Sequence, residues 1–226
     1  MQASLLYHTP NPERAVATAA RLCYAPIGAA ELMETMSDEQ VDRVLTTIMK
    51  SGHGSALEHA SYTIAVDGVS RALTHQLVRH RIASFNQQSQ RYVTYDREPE
   101  IVLPQTIADD AEALSSFNTA IDVAYATYAA LIDVGIPAED ARYVLPNACT
   151  TKIVITMNIR QLLHFFEVRC CNRAQWEIRE LADRMLELVR PTAPYIFLDA
   201  GAPCRRGPCR EGKMTCGHPF ERIVRP

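Results

Sequence analysis

The chain carries only nine glycines in 226 residues, and none of them falls in a Gly-x-Gly-x-x-Gly or Gly-x-x-x-x-Gly-Lys pattern. Rossmann and P-loop nucleotide sites are thereby excluded, and any phosphate contact has to come from arginines and helix ends. There is no Gly-x-Ser-x-Gly elbow and no cysteine in a Pro-Cys-His setting, so a covalent serine or cysteine mechanism has no obvious nucleophile. No run of 18 apolar residues exists, which argues against a transmembrane helix. Met1-Gln2-Ala3-Ser4 lacks the charged start and apolar centre of a signal peptide. With no export signal, the odd number of cysteines, seven, reads as reduced thiols of a cytoplasmic protein.

What is present is a chain fit to fold. Hydrophobic residues make up 47% and charged residues 22%, enough for one packed domain with a tail. The net charge of -3 argues against a surface built wholly for nucleic acid. A nucleic-acid module would have to use the patch from Arg79 to Arg91 and the basic tail (Arg205, Arg206, Arg210, Lys213), without interleaved aromatics.

The central stretch is Arg79-His80-Arg81-Ile82-Ala83-Ser84-Phe85-Asn86-Gln87-Gln88-Ser89-Gln90-Arg91-Tyr92. It reads as a loop. Its polar side chains are nearly all donors, no carboxylate neutralises its arginines, and it contains no Lys, Gly or Pro. Guanidinium forks match phosphates bidentately, so the stretch suits a planar, anionic ligand. The plainer reading is a basic surface turn, with Arg79, His80 and Arg81 complementing the dipole at a helix end.

Elsewhere the patterns are mixed. Strands are predicted over residues 3–8, 60–67, 91–95 and 150–157. A helix is predicted from Pro12 to Cys23 with Asn11 as its cap, and another after the Ser37–Gln40 capping box. Ser55 and Glu58 have the spacing of a second capping box, at a place where backbone N–H groups could also meet a ligand. Further helices are predicted from Ser70, as one long element over 106–134, as a turn from Pro137 delivering Arg142, and over 159–169 and 174–189. The helix over 159–169 puts Ile159, Leu162, Leu163 and Phe166 on one face, and Arg160, His164 and Glu167 on the other. Trp176 reads as core or interface. Strands and helices without a regular βαβ repeat give an α+β fold with a mixed or antiparallel sheet. The expected division is a domain over residues 1–199 and a Cys-rich tail over 200–226. In that tail Cys204, Cys209, Cys216 and His218 could bind zinc, stay free or pair, although their spacing is not that of a standard finger.

Together these blocks resemble the flavin-dependent thymidylate synthases. Arg79-His80-Arg81 followed by Ser84, Asn86, Ser89 and Arg91-Tyr92 is similar to the family's signature. His53-Gly-Ser55-x-x-Glu58-His59, Arg142-Tyr-Val-Leu-Pro, Asn158-Ile-Arg160-x-Leu-x-His164-Phe-x-x-x-Arg169 and Ala174-Gln175-Trp176-Glu177-Ile178 follow the family pattern in order, over roughly residues 2–198. The resemblance implies a non-Rossmann flavin site and synthesis of dTMP from dUMP. The one-carbon unit would come from 5,10-methylenetetrahydrofolate and reducing equivalents from NADPH through tightly bound FAD, with no enzyme cysteine attacking the uracil. It assigns FAD to His53, Ser55, Glu58, Arg79, His80, Arg81, Ile82, Asn86, Asn158, Arg160 and His164. It assigns dUMP to Gln76, Gln87, Gln88, Ser89, Gln90, Arg91, Arg142 and Arg169, with Arg169 and Ser89 nearest the chemistry. It implies a homotetramer with sites built from several subunits, and gives no role to nucleic acid, membrane or metal. Two positions depart from the pattern: many members carry Glu where this chain has Gln87, and other polar residues where it has His164. A flavoprotein acting on another uracil remains the nearest enzymatic alternative.

Overall fold

The computed structural model describes residues 1–95 and 99–223. In chain order the elements are β1 (Gln2–His8), α1 (Pro12–Leu22), α2 (Ala29–Thr35), α3 (Asp38–Ser51), β2 (Ser61–Ser70), α4 (Arg71–Leu77), β3 (Ser84–Gln87), α5 (Gln105–Ala108), α6 (Ala111–Asp133), α7 (Ala138–Ala141), β4 (Thr150–Asn158), α8 (Ile159–Arg169) and α9 (Trp176–Val189). Two short 3-10 turns are interposed, Gly54–His59 between α3 and β2 and Arg142–Val144 directly after α7. The strands form one antiparallel sheet in the order β1-β2-β4-β3, so the fold is α+β as the pattern predicts.

The chain forms two compact units, and β2 and β4 each run from one into the other. The larger consists of Ala3–Ala65, His80–Phe85 and Val154–Pro226. Its core is apolar and aromatic: Val16, Leu45, Tyr62, Phe165, Phe166, Leu181, Met185 and Phe197 are buried. Phe166 meets Phe197 edge-on at 6.1 Å, and Tyr62 meets Phe197 at 5.8 Å. Burying such side chains supplies about 1.5–3 kcal/mol each. The smaller unit consists of Met1–Gln2, Val66–Arg79 and Asn86–Ile153, with Leu73, Leu77, Ile121, Tyr128, Ala141 and Cys149 buried.

Several local readings hold. Ser37 and Gln40 form the reciprocal capping box. β4 alternates, with Ile153, Ile155 and Met157 turned inward. The structure adds a cap that the sequence reading did not assign: Asn158 accepts from the Gln161 N–H at 2.9 Å at the start of α8.

Other readings need correction. Asn11 precedes α1 in a left-handed conformation (φ 45°) and its side chain makes no cap bond. Asn tolerates that conformation, so the residue serves the turn before Pro12 and does not act as a side-chain acceptor. Ser55 starts no capping box, because Gly54–His59 is a 3-10 turn without a side-chain cap and Glu58 bonds elsewhere. By contrast, the helix predicted from Ser70 is present as α4, with Ser70 as its cap, accepting from the Leu73 N–H. The expected single helix over 106–134 is broken, since Asp110 accepts from the N–H groups of Glu112 and Ala113 and starts α6 afresh. Arg91 and Tyr92 form a turn where a strand is predicted. The strand lies earlier, at Ser84–Gln87 inside the expected loop, held beside β4 by backbone pairing that residue polarity does not reveal. On α8 it is Phe165 that is fully buried, where the wheel places Leu163, because the helix buries a broader face than a single stripe. Trp176 is 39% exposed, so it is not a core residue.

The tail is not loose over its described part, which ends at Ile223; the last three residues of the 200–226 segment lie outside the described residues. Glu167 of α8 accepts from Arg206 at 3.0 Å and from Arg210 at 2.7 Å. The Ile223 N–H donates to the Arg205 carbonyl, and the Arg205 guanidinium lies over the Phe220 ring at 4.9 Å. All seven cysteines are free, and among the described residues no cluster of three or more His, Cys, Asp or Glu could hold a metal.

Candidate functional site

In the larger unit the 3-10 turn Gly54–His59 packs against α8, and the Ile159 N–H donates to the Ala60 carbonyl at 2.9 Å. The turn exposes His53, Ser55 and Glu58. Arg160, from the first turn of α8, pairs with Glu58. A Cβ on Gly54 would come within 3.2 Å of the Arg160 Nε, so glycine is what lets the guanidinium lie across the turn. His164, one helical turn further, is exposed on the same face. Asn158 places its side-chain oxygen on the helix end, which makes it a cap whatever else it does.

His80 points inward and is only 7% exposed. Its Nε2 accepts from the Arg169 Nε–H at 3.0 Å, and its Nδ1 lies 3.4 Å from the side-chain amide of Gln161. Phe165 and His164 meet the ring edge-on at 5.0 and 6.0 Å. Burial, reinforced by the charges of Arg169 and His164, pushes the His80 pKa down to about 4, so the ring is neutral. Burial also draws the Arg169 guanidinium below its ordinary value. Both nitrogens of the His80 ring thus face groups of the chain itself. The flanking arginines differ. Arg79 and Arg81 are exposed, and among the described residues neither guanidinium is paired with a carboxylate. Ile82, which follows Arg81 in the larger unit, is 71% exposed, and Arg79 belongs to the smaller unit. An exposed guanidinium fork can meet a diphosphate and an exposed apolar side chain can meet a planar ring system, the two parts of FAD. Asn86, in the smaller unit, is also exposed.

The smaller unit gathers the other expected residues. Arg91 pairs with the Glu139 carboxylate, and the Arg142 Nε–H donates to the Glu139 carbonyl at 3.0 Å. Both guanidinium groups therefore converge on one residue at the start of α7. Ser89 accepts from the Arg91 N–H at 3.1 Å, so its hydroxyl shapes the turn that presents Arg91. Gln90 donates to the Tyr95 hydroxyl at 3.3 Å, and Gln88 is exposed, its N–H bonded to the Lys152 carbonyl. Gln76 is half-buried on α4. Gln87 is the exception. Its amide donates to Thr74 at 3.2 Å and to Thr151 at 3.3 Å, tying β3 to α4 and β4. A Glu there would have no hydrogen to donate to either threonine, so these two contacts as they stand need the amide. Residue patterns alone miss Glu139 and Gln161. The first reads as an ordinary acidic residue in a first helical turn; the second is detectable only as the residue three beyond the Asn158 cap.

The α+β fold combines two exposed arginines, without carboxylate partners among the described residues, with a buried neutral histidine and no glycine-rich phosphate loop. The family model described as thymidylate synthase complementing protein matches residues 4–195. Flavin-dependent thymidylate synthases from Geobacter sulfurreducens and Clostridium tetani are 56% and 48% identical to this chain, each over 98% of it and over 96% and 95% of their own lengths. Both alignments run into the tail. Among solved structures, the chain is similar to a UMP/dUMP methylase, PolB, from Streptomyces cacaoi, bound with 5-Br dUMP. The TM-score is 0.73 at 26% identity, covering 87% of this chain and 93% of that one. The chain belongs to the flavin-dependent thymidylate synthase family.

Proposed function

We propose that this chain makes dTMP from dUMP, with 5,10-methylenetetrahydrofolate as one-carbon donor and NADPH as reductant. The observation that carries the reading is the near full-length match to synthases of that name, in a chain whose Arg79 and Arg81 stand exposed and, among the described residues, without carboxylate partners. Arg79 and Arg81 hold the FAD diphosphate; His53, Ser55, Glu58, Asn158, Arg160 and His164 line the adjoining surface, with Ile82 completing it, and Asn86 offers the cofactor an amide. Bound flavin supplies the hydride that the one-carbon unit needs to become a methyl group. Arg91 and Arg142 take the nucleotide phosphate in competition with Glu139, while Ser89 keeps the Arg91 turn in shape. Gln76, Gln88 and Gln90 offer amides to the sugar and base, and Gln87 supports them from behind. Arg169 places a cation where charge develops on the uracil oxygens.

The subunits assemble as a homotetramer with sites assembled from more than one copy. Only Ile121 and Tyr128 are buried on the 23-residue α6, leaving Val123 61% exposed and Leu114, Phe117 and Leu131 half-buried, a surface suited to a partner helix. The test is an absorbance spectrum of the purified protein followed by dUMP titration and a dTMP assay. Flavin bands that shift on adding dUMP, with dTMP formed only when folate and NADPH are present, are the expected result. A colourless protein that fails to take up FAD overturns it.

A further inference from the structure

The row of buried Gln161, buried His80 and half-buried Arg169 has a direction that hydrogen-bond chemistry fixes. A guanidinium has donors and no acceptor, so in the 3.0 Å contact the Arg169 Nε–H must donate and the His80 Nε2 must be a bare lone pair. A neutral imidazole carries one proton, which therefore sits on Nδ1. The atom 3.4 Å from Nδ1 is the Gln161 Nε2, itself a donor, so the Nδ1 proton is satisfied only with that amide turned end for end, its oxygen toward the ring. Gln161 is itself 7% exposed, and its backbone N–H is taken by the Asn158 cap, so its position is set independently of the ring.

We infer that Gln161 is a positioning residue for the reaction: it fixes the Nδ1–H tautomer of His80, whose Nε2 then holds the Nε edge of the Arg169 guanidinium and so sets the direction in which that cation faces the pyrimidine. The inference rests on the synthase reading and adds to it a residue that touches neither substrate nor cofactor. An amide suits the place better than a carboxylate. Its oxygen accepts the ring proton without drawing a second proton onto the imidazole. A second proton would land on Nε2 and expel the Arg169 Nε–H. Among the described residues the charged and titratable groups acting on the ring are Arg169 and His164, both on α8, and both oppose that proton. Phe165 closes another side. A carboxylate at position 161 would work the other way, favouring the doubly protonated ring.

Two variants and one spectrum test this on the flavin-loaded protein. Gln161→Leu removes the acceptor. It should retain flavin and lose about 10- to 100-fold in kcat at every pH, since a small misplacement of a reacting group costs that much. Gln161→Glu keeps an acceptor but adds charge. It should approach the wild-type kcat at high pH, with the acid limb of its pH profile moved to higher pH. The 15N spectrum of histidine-labelled protein, with His80 assigned by difference from His80→Gln, should show a neutral ring protonated on Nδ1 in the wild type and a changed signature in Gln161→Leu. This last readout needs no turnover. If the wild type makes no dTMP but shows the Nδ1–H ring, the synthase reading fails and the tautomer assignment stands. The positioning role is overturned by a folded Gln161→Leu with full kcat, by an unmoved acid limb in Gln161→Glu, or by a wild-type ring protonated on Nε2.

Discussion

Arg160, in the first turn of α8, is ion-paired with Glu58, which precedes it by 102 residues and sits in the 3-10 turn Gly54–His59. The pair is solvent-exposed on both sides, at 60% and 46% of the side-chain surface. Exposed pairs contribute about 0–1 kcal/mol to stability. Glu58→Gln should therefore leave the chemical denaturation midpoint within that small margin, while flavin retention through gel filtration drops markedly. A variant that unfolds early and keeps its flavin would place the pair in the scaffold and not in the cofactor site.

Arg169→Ala should keep FAD bound and abolish most dTMP formation, because its role falls on the pyrimidine. The two quantities are read separately, flavin by its absorbance per protein and product by chromatography. Loss of flavin with unchanged turnover per remaining flavin contradicts the assignment.

Glu139 holds both arginines expected to meet the nucleotide phosphate. With its carboxylate gone, Arg91 no longer exchanges one anion for another on binding. Glu139→Gln should lower the KM for dUMP by at most about fivefold, the equivalent of a partly exposed ion pair, with kcat little changed. Arg91→Ala should raise KM strongly. A Glu139→Gln variant with raised KM would mean that the carboxylate orients Arg91 and does not compete for it.

The neutral state of His80 links folding to pH. Its folded pKa, about 4, lies below the ordinary 6.5, so the unfolded chain binds the extra proton first. Stability from this group is complete above about pH 6.5 and declines as pH falls toward 4, at no more than about 1.4 kcal/mol per pH unit. Urea midpoints measured across that window should fall on acidification, and His80→Phe should flatten the slope. An equal slope in the variant would assign the acid sensitivity to other groups.

Phe197 closes the aromatic core between Tyr62 and Phe166. Phe197→Ala should cost about 3–5 kcal/mol, the usual penalty for a large buried cavity, seen as a lowered denaturation midpoint.

The features readable from the residues and those that were not divide on physical grounds. β4, α8 and α9 announce themselves because each buries a continuous face and the spacing of Ile153, Ile155 and Met157, or of Ile159, Leu162 and Phe166, records it. The donor-rich stretch from Arg79 to Tyr92 is visible because composition alone sets it apart. β3 is hidden inside that stretch because its pairing is made by backbone groups, and every residue type has those. The break at Asp110 is hidden because Ala108 on one side and Ala111, Glu112, Ala113 and Leu114 on the other all favour helix. The engagement of Gln87 with Thr74 and Thr151, and of Gln161 with His80, depends on partners 13, 64 and 81 positions away. No local pattern encodes a distance of that kind. The family resemblance supplies residue roles, yet it does not separate Arg79 and Arg81, which face solvent, from His80 between them, which faces the core.

The grip of Glu167 on Arg206 and Arg210 makes α8 depend on a segment made well after it. The two arginines leave the ribosome 39 and 43 residues behind the glutamate. A nascent chain that stalls between them, or a protease that trims back past Arg206, leaves an uncompensated carboxylate on the helix of Arg160, His164 and Arg169. The helix thereby distinguishes molecules that carry the tail from molecules that have lost it.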